Sequence, residues 1–326
     1  MFYLATIGEA LIDFVPMKKG FHLADVPQFE RVAGGAPANV AAAFAKCGGS
    51  SMMLTKLGTD AFGEHIIDKL QSCGVDCDYI QRSSEHQTSL AFVSLAADGK
   101  TDYAFYRQNA ADLALRYDEI EHSVGVFDML HFCSVSLVES EMKKTHQKLL
   151  EEAVKYNKLI SFDPNVRLAL WDNHQTLKQT IHEFIPYANI LKIADDELEF
   201  IMETNDIDEA LAMLWQYSRL QCVIYTRGKD GASVYTRTHQ AHHEGFKVDV
   251  KDTTGAGDGF IAAFLWYLVI REQLPQEMDE EALTKGILFA NAYAALSTKK
   301  AGAIDAYATM DELALFLDIY SNSFEE

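Results

Sequence analysis

Positive charge is what this chain has least of. Its 28 lysines and arginines face 48 acidic residues, for a formal charge of −20. Sequence-independent nucleic-acid binding needs a basic surface that displaces counterions, so that class is excluded. A protein this acidic that handled a nucleotide would need a local positive field or a bridging cation at its phosphate site. Cysteine is sparse as well. Cys47, Cys73, Cys77, Cys133 and Cys222 make no C-x-x-C pair, and an odd count of 5 suits neither a closed disulfide framework nor a zinc ribbon. These cysteines read as reduced core residues. The 11 histidines include no His-Glu-x-x-His, and neighbours His242 and His243 would face opposite sides of a strand, which argues against a histidine-bound catalytic metal. No run reaches the length of a membrane span. The apolar start, Met1 to Pro16, lacks a basic region and carries Glu9 and Asp13, so it is a poor signal peptide. The expected location is the cytoplasm, with neither nucleic acid nor membrane as a partner. No repeat, low-complexity tract or linker divides the 326 residues, so 1–326 is expected to form one large domain, with only Ser321 to Glu326 as a frayed tail.

What the chain does have is the stretch Lys251-Asp252-Thr253-Thr254-Gly255-Ala256-Gly257-Asp258-Gly259-Phe260. It stands between strand-like Phe246 to Val250 and the apolar run Phe260 to Ile270, a pattern that predicts a strand, a glycine-rich turn and a helix. Glycines let the backbone turn tightly and bring its N–H groups close to an anion, and the helix start adds unpaired donors and the positive end of its dipole. A phosphate fits there. Asp258, in the first turn of that helix, could take a proton from an attacking hydroxyl while the amides of Gly255, Ala256 and Gly257 hold the charge developing on the phosphoryl group. The helix dipole is expected to keep this carboxylate ionised at neutral pH. A glycine turn alone fits an ordinary α/β crossover equally well. The whole string Asp-Thr-Thr-Gly-Ala-Gly-Asp, however, resembles the C-terminal signature of the ribokinase family of carbohydrate kinases, also called the PfkB family.

Other segments carry the same resemblance. Phe2 to Ile7 reads as a buried first strand, and Gly8-Glu9-Ala10-Leu11-Ile12-Asp13-Phe14 leaves it with two carboxylates. A carboxylate at a strand end can accept hydrogen bonds from two neighbouring sugar hydroxyls, although Asp13 by itself could equally be a surface residue. This opening resembles that of bacterial and plant fructokinases, which implies that Asp13 holds the sugar. Gly34-Gly35-Ala36-Pro37-Ala38-Asn39 enters an alanine-rich helix and resembles the N-terminal signature, placing Gly34, Gly35 and Asn39 in the sugar cradle. Thr88 to Ala96, Asp98-Gly99 and Thr101 to Tyr106 have the form of a hairpin. Phe105-Tyr106-Arg107 resembles the fructokinase lid, so Arg107 either points at the substrate or is an exposed arginine on a β-ribbon. Leu159 to Asp163 is a strand with Pro164-Asn165-Val166-Arg167 at its C-terminal end, where ligands bind open α/β sheets. The tract through Trp171 resembles fructokinases and ketodeoxygluconate kinases, and implies substrate or phosphate contacts from Asn165 and Arg167.

Lys192 either approaches the nucleotide phosphates or reaches water from a strand end. The family places an Asn-x-x-Glu magnesium motif after it; Ala194 stands where the asparagine would be, so only Glu197 carries over, acting through water. Thr226-Arg227-Gly228-Lys229-Asp230-Gly231 lacks the Lys-Ser/Thr of a Walker A loop. The resemblance assigns Thr226, Gly228, Gly231 and Asn291 to the nucleotide pocket, and Asp252, Thr254 and Gly302 to a monovalent-cation loop. The implied fold is a ribokinase-like three-layer α/β sandwich with a predominantly parallel sheet and a small β lid from about residues 12–31 and 87–108. The implied chemistry is transfer of the γ-phosphoryl group of ATP to the primary hydroxyl of a ketose, fructose above others, with Mg2+ and K+ as cofactors and a homodimer through the lid. The alternatives are 2-keto-3-deoxygluconate or an aminoimidazole riboside as substrate, and a non-catalytic sugar- or nucleotide-binding regulator.

Overall fold

Successive side chains on a strand point to opposite faces, so a strand apolar at every position must be covered on both sides. The computed structural model, which describes residues 2–18, 20–95 and 101–322, meets that demand with one large sheet between two helical layers. The strands are β1 (Tyr3–Ile7), β2 (Leu11–Pro16), β3 (Phe29–Gly34), β4 (Ser50–Gly58), β5 (Ile80–Ser83), β6 (Leu90–Leu95), β7 (Thr101–Tyr106), β8 (Met129–Cys133), β9 (Leu159–Asp163), β10 (Ile190–Ala194), β11 (Cys222–Thr226), β12 (Ala232–Thr236) and β13 (Gln240–His243). The helices are α1 (Ala36–Lys46), α2 (Ala61–Ser72), α3 (Glu141–Lys155), α4 (His174–Phe184), α5 (Asp195–Met202), α6 (Ile207–Leu214), α7 (Ala256–Arg271), α8 (Glu280–Ser297) and α9 (Met310–Asn322).

Among the described residues the large sheet has nine strands in the order β13-β12-β11-β10-β9-β8-β1-β4-β5. The pairings from β11 to β5 are all parallel, and β12 and β13 are antiparallel. Pleating divides each strand between two cores. Leu4, Cys222 and Ile224 face a cluster with α1, α7 and α8, whereas Ala5, Ile7 and Val223 face a second cluster with α3 to α6. Each fully buried aliphatic side chain there contributes about 1.5–3 kcal/mol. Helix α7 is apolar on nearly every side because it lies in the interior: every residue from Asp258 to Leu265 is buried.

A second sheet of four strands, ordered β3-β2-β6-β7, stands beyond the end of β1. The chain reaches it directly, because only Gly8 to Ala10 separate β1 from β2. Two antiparallel hairpins, β2–β3 and β6–β7, meet through the parallel β2–β6 pairing. On one side Leu11, Asp13 and Val15 recur with the period of two that a strand imposes, and with Val93, Tyr103 and Phe105 they line a cleft. On the other, Phe14 stacks on Phe92 at 4.5 Å and meets Phe62 of α2 at 5.9 Å. The turn Asp98-Gly99 and the last residues of the expected tail lie outside the described residues.

One expected element does not form. Phe246 to Val250 is not a strand; the sheet ends at β13. Phe246 leaves it to pack against Phe316 and Tyr320, with ring centroids 5.4 and 4.5 Å away. The amide of Lys251 then donates to Thr298 O at 2.8 Å instead of to a neighbouring strand. The apolar alternation that suggested a strand serves this packing.

Candidate active site

A cleft of about 350 Å³ opens between the two sheets. It takes residues from the C-terminal end of β9, from the middle of β10, from the start of α1, from the small sheet and from the turn before α7. This is the crevice position at which open parallel sheets bind ligands.

The turn is built by Gly255. Its φ of +75° is left-handed, and a side chain there would bring Cβ to 2.6 Å from Ala303 Cβ and 2.7 Å from Tyr307 Oη. No side chain caps the start of α7, which leaves the helix's positive end available to an anion. Thr253, Thr254, Gly255, Gly257 and Asp258 line the cleft. Ala256 does not, which corrects its assignment to the anion hole. Its amide turns back to donate to Thr253 O at 3.1 Å and closes the turn.

Asp258 is buried and accepts a hydrogen bond from Asn39 Nδ2 at 2.8 Å. This pair joins the two signature strings across 219 residues of sequence. Burial pushes the Asp258 carboxyl up to about 6; Asn39 pulls the other way, Asp163 adds to the rise, and Arg167 and Lys192 oppose it. Desolvation is the largest of these influences, and it makes the group a stronger base than an ordinary aspartate. Asn39 Oδ1 is buried without a hydrogen-bond partner, so it is an acceptor that a hydroxyl donor brought to it would satisfy.

Asp13 also faces the cleft. Its carboxyl is raised to about 7 by burial first and then by the charge of Glu9, against the pull of Arg167. Gly34 sits so near that an added Cβ would overlap Asp13 Oδ2, so the sugar-cradle glycine acts by making room for the carboxylate. Gly35, at φ +103°, packs against the backbone of Glu9 and lines the cleft. Glu9 itself is buried, with Oε1 accepting from the Ala36 amide at 3.1 Å and Oε2 from Ser136 Oγ at 2.5 Å.

At the floor, Lys192 Nζ lies 2.7 Å from Asp163 Oδ2, and both residues are buried. Burial works against the lysine's charge, but Asp163 and Glu197 outweigh it and raise its pKa. A Cβ on Gly257 would stand 3.5 Å from Lys192 Nζ, so the ammonium group adjoins the anion turn. Asp163 was missed as a site residue from sequence. The register brings it in: β9 and β10 pair in parallel with Phe162 opposite Leu191, which sets Asp163, at the end of β9, beside Lys192 in the middle of β10. Asn165, in the left-handed region at φ 47°, and Arg167 both line the cleft, Arg167 exposed with Nη1 on Val166 O at 3.0 Å.

Arg107 does not line the cleft, contrary to both sequence readings of it. It is buried just past the end of β7, ion-paired with Asp112 and donating to Val135 O at 3.1 Å. Glu197 also stands off the cleft. Its Oε1 accepts from the Val166 amide at 2.6 Å and its Oε2 from the Ala194 amide at 3.0 Å, so the carboxylate ties the Arg167 loop to the end of β10. Thr226 closes β11, and Gly228 and Gly231 flank the short turn that follows. Gly231 lies against the backbone of His243 to Gly245, and Asn291 Nδ2 donates to His243 O at 3.1 Å, so these two converge on one segment outside the cleft. The cation-loop residues also come together. Asp252 accepts from the Thr254 amide at 3.0 Å and Oγ1 at 2.7 Å, and from the Gly302 amide at 3.0 Å.

Among the described residues no group of three His, Cys, Asp or Glu side chains converges to hold a metal. Nor, among the described residues, is any helix long and apolar enough to cross a membrane.

The model for pfkB family carbohydrate kinases matches residues 1–310. Fructokinase-2 of Solanum lycopersicum is 38% identical over 319 residues, covering 96% of this chain and 95% of the relative. The ATP-bound fructokinase of Xylella fastidiosa superposes with a TM-score of 0.86 at 30% identity, over 98% of this chain and 99% of that one. The fructokinase of Vibrio cholerae O395 with fructose, ADP and calcium ion bound gives a TM-score of 0.86 at 28% identity, over 97% and 99% of the two chains. A double mutant of that enzyme with fructose, ADP and potassium ion bound gives 0.85 at 28%, over 97% and 98%. The match over nearly the whole length, with the sandwich and small sheet that the two signature strings implied, settles the membership: this chain belongs to the pfkB family of carbohydrate kinases.

Proposed function

We propose that the protein is an ATP-dependent fructokinase that moves the γ-phosphoryl group of ATP to the primary hydroxyl of fructose. The observation that carries this reading is the convergence of Asp13, Asn39 and Asp258 on one cleft that also contains the glycine turn. Asp13 accepts hydrogen bonds from sugar hydroxyls, and Asn39 Oδ1 accepts another while its Nδ2 orients Asp258. Asp258 receives the proton of the attacking hydroxyl as that oxygen bonds to phosphorus and the bond to the β-phosphate oxygen breaks. The Gly255 and Gly257 amides and Lys192 stabilise charge on the transferring group, the kind of positioning and electrostatics on which phosphoryl transfer mainly depends. Mg2+, the divalent ion we assign, would enter on the phosphates of the nucleotide and would supply neutralisation of their charge. Fructokinase relatives bound to ATP, fructose and ADP support the assignment. A dimer through the small sheet belongs to the same proposal; Tyr106, on its edge strand β7, is 65% exposed.

Arg107 bears on the choice of sugar. Its guanidinium is committed to Asp112, so among the described residues Arg167 is the sole arginine lining the cleft, beside the carboxylates of Glu9 and Asp13. A sugar acid would face those carboxylates without a paired arginine clamp. Across a sugar panel, kcat/KM on fructose should exceed that on ketodeoxygluconate by about tenfold or more, the cost of roughly one unfavourable charge contact. Preference for the acid would overturn the substrate assignment. Absence of ATP-dependent turnover with every sugar would favour a binding protein.

Potassium activation is a second part of the proposal, supported by the junction of Asp252, Thr254 and Gly302 and by a potassium-bound relative. An ion there would order the anion turn without touching the sugar. Activity is expected to be several-fold higher in potassium than in tetramethylammonium at equal ionic strength with sodium excluded. Equal activity in the two salts counts against it.

A further inference from the structure

The peptide that closes the anion turn, Gly255 C=O to Ala256 N–H, is planar, so fixing one end fixes the other. One of the two torsions that swing it, ψ of residue 255, belongs to a glycine, whose backbone resists rotation least. Three contacts hold it. The Ala256 amide donates to Thr253 O at 3.1 Å, and Gly255 O accepts from the Gly259 amide at 2.8 Å. The third comes from a distant part of the chain: Tyr307 Oη donates to Gly255 O at 2.9 Å, from 52 residues further along.

We propose that Tyr307 is a positioning residue for phosphoryl transfer, its hydroxyl locking the Gly255–Ala256 peptide and thereby steadying the peptides on either side of it, which carry the amides of the cleft-lining residues Gly255 and Gly257. This rests on the kinase reading above. The side chain is placed for the task. Tyr307 is 2% exposed, and its ring runs along the first turn of α7, where a Cβ on Gly259 would come within 3.0 Å of Cε1. Gly255 must be glycine partly because Tyr307 occupies the space beside it. Burial first, and then the negative charge of Asp258, raise the phenol's pKa, so the hydroxyl stays protonated and remains a donor throughout the working range. The segment that carries it is anchored at its other end by the Gly302 amide on Asp252, 3.0 Å away. Residues 302–307 thus bridge the turn from both sides, at Asp252 and at Gly255.

The test is Tyr307→Phe, which removes the hydroxyl and leaves the ring. A ready control lies in the same cluster. Tyr293 is fully buried, with its ring centroid 6.0 Å from that of Tyr307, but its hydroxyl bonds Ala43 O and Ala308 O, away from the turn. Tyr293→Phe therefore reports what losing a buried hydroxyl costs through packing alone. Loss of one oxyanion-hole donor typically costs ~10²–10³ in kcat, and loosening two donors without removing either should cost about tenfold. For Tyr307→Phe we expect kcat to fall by about tenfold with the KM for fructose within about twofold of wild type. Affinity for ADP, aluminium fluoride and fructose together should fall by the same factor, whereas affinity for ADP and fructose alone should not change. Tyr293→Phe should keep its kcat. Wild-type kcat in Tyr307→Phe, or an equal loss in Tyr293→Phe, overturns the inference and leaves the kinase reading intact. A wild type inactive on every sugar sinks the kinase reading and this inference with it.

Discussion

Replacing Asp258 by asparagine is expected to lower kcat by ~10²- to 10⁴-fold while ATP affinity stays near that of the wild type. Asparagine keeps the size of the side chain and an oxygen for Asn39 Nδ2, so the contact at 2.8 Å can persist. What it loses is the capacity to take the hydroxyl proton. With its carboxyl at about 6, Asp258 is about nine-tenths ionised at pH 7, ready to act as a base and less weak than an ordinary aspartate. Stability should move in the opposite direction from activity. A folded-state pKa raised above the unfolded value means that the folded protein binds this proton more readily. Its contribution is therefore greatest below about pH 4 and is lost as pH rises towards 6. Above that the buried charge only opposes folding, so Asp258→Asn should melt at or slightly above the wild-type temperature at pH 7–8. A folded Asp258→Asn protein that retains most of its kcat would remove Asp258 from the mechanism and reopen the binding-protein reading.

Local strings revealed those parts of the site that local backbone geometry determines. The run from Asp252 to Asp258 encodes a left-handed glycine turn and a helix start, and Gly34-Gly35 with Pro37 encodes another helix entry. What sequence left open depends on partners far away in the chain. Nothing in the string around Arg107 shows that the carbonyl of Val135, 28 residues on, would hold its guanidinium inward, or around Glu197 that the amide of Val166, 31 residues back, would take one of its oxygens. The apolar alternation of Phe246 to Val250 is equally consistent with a strand and with a segment that packs on α9, and only the tertiary contact with Phe316 and Tyr320 decides between them. The basicity of Asp258 was not legible in the sequence for the same kind of reason. The dipole is readable from position in a helix, but desolvation depends on what α1 and the sheet lay over it. Tyr307 lies beyond pattern reading altogether, because its role appears only when the chain returns to Gly255.

Asp13→Asn is expected to lower kcat/KM for fructose by ~10²-fold or more with no change in ATP affinity. Two hydrogen bonds from sugar hydroxyls to a carboxylate contribute about 1.5–3 kcal/mol each, and about 1.4 kcal/mol is tenfold. The amide retains one acceptor and presents an N–H₂ where the carboxylate offered a second, so at least one of those bonds is lost and the ketose shifts relative to Asp258. The pH profile separates this role from a structural one. Asp13 at about 7 and Asp258 at about 6 must both be ionised, so wild-type kcat/KM should fall as pH drops below 7 and approach a slope of two on a logarithmic plot below 6. Because these carboxylates sense one another's charge, the two apparent values belong to the pair. In Asp13→Asn one titrating group remains, its apparent value should drop once the neighbouring charge is gone, and the acid limb should flatten to a slope of one. The stability sign follows from the same raised value. Burial of the Asp13 charge disfavours folding progressively from about pH 4 to 7, so the variant should gain more in melting temperature at pH 8 than at pH 5. An acid limb still of slope two in Asp13→Asn, or a loss confined to the KM for ATP, would show that Asp13 does not hold the sugar.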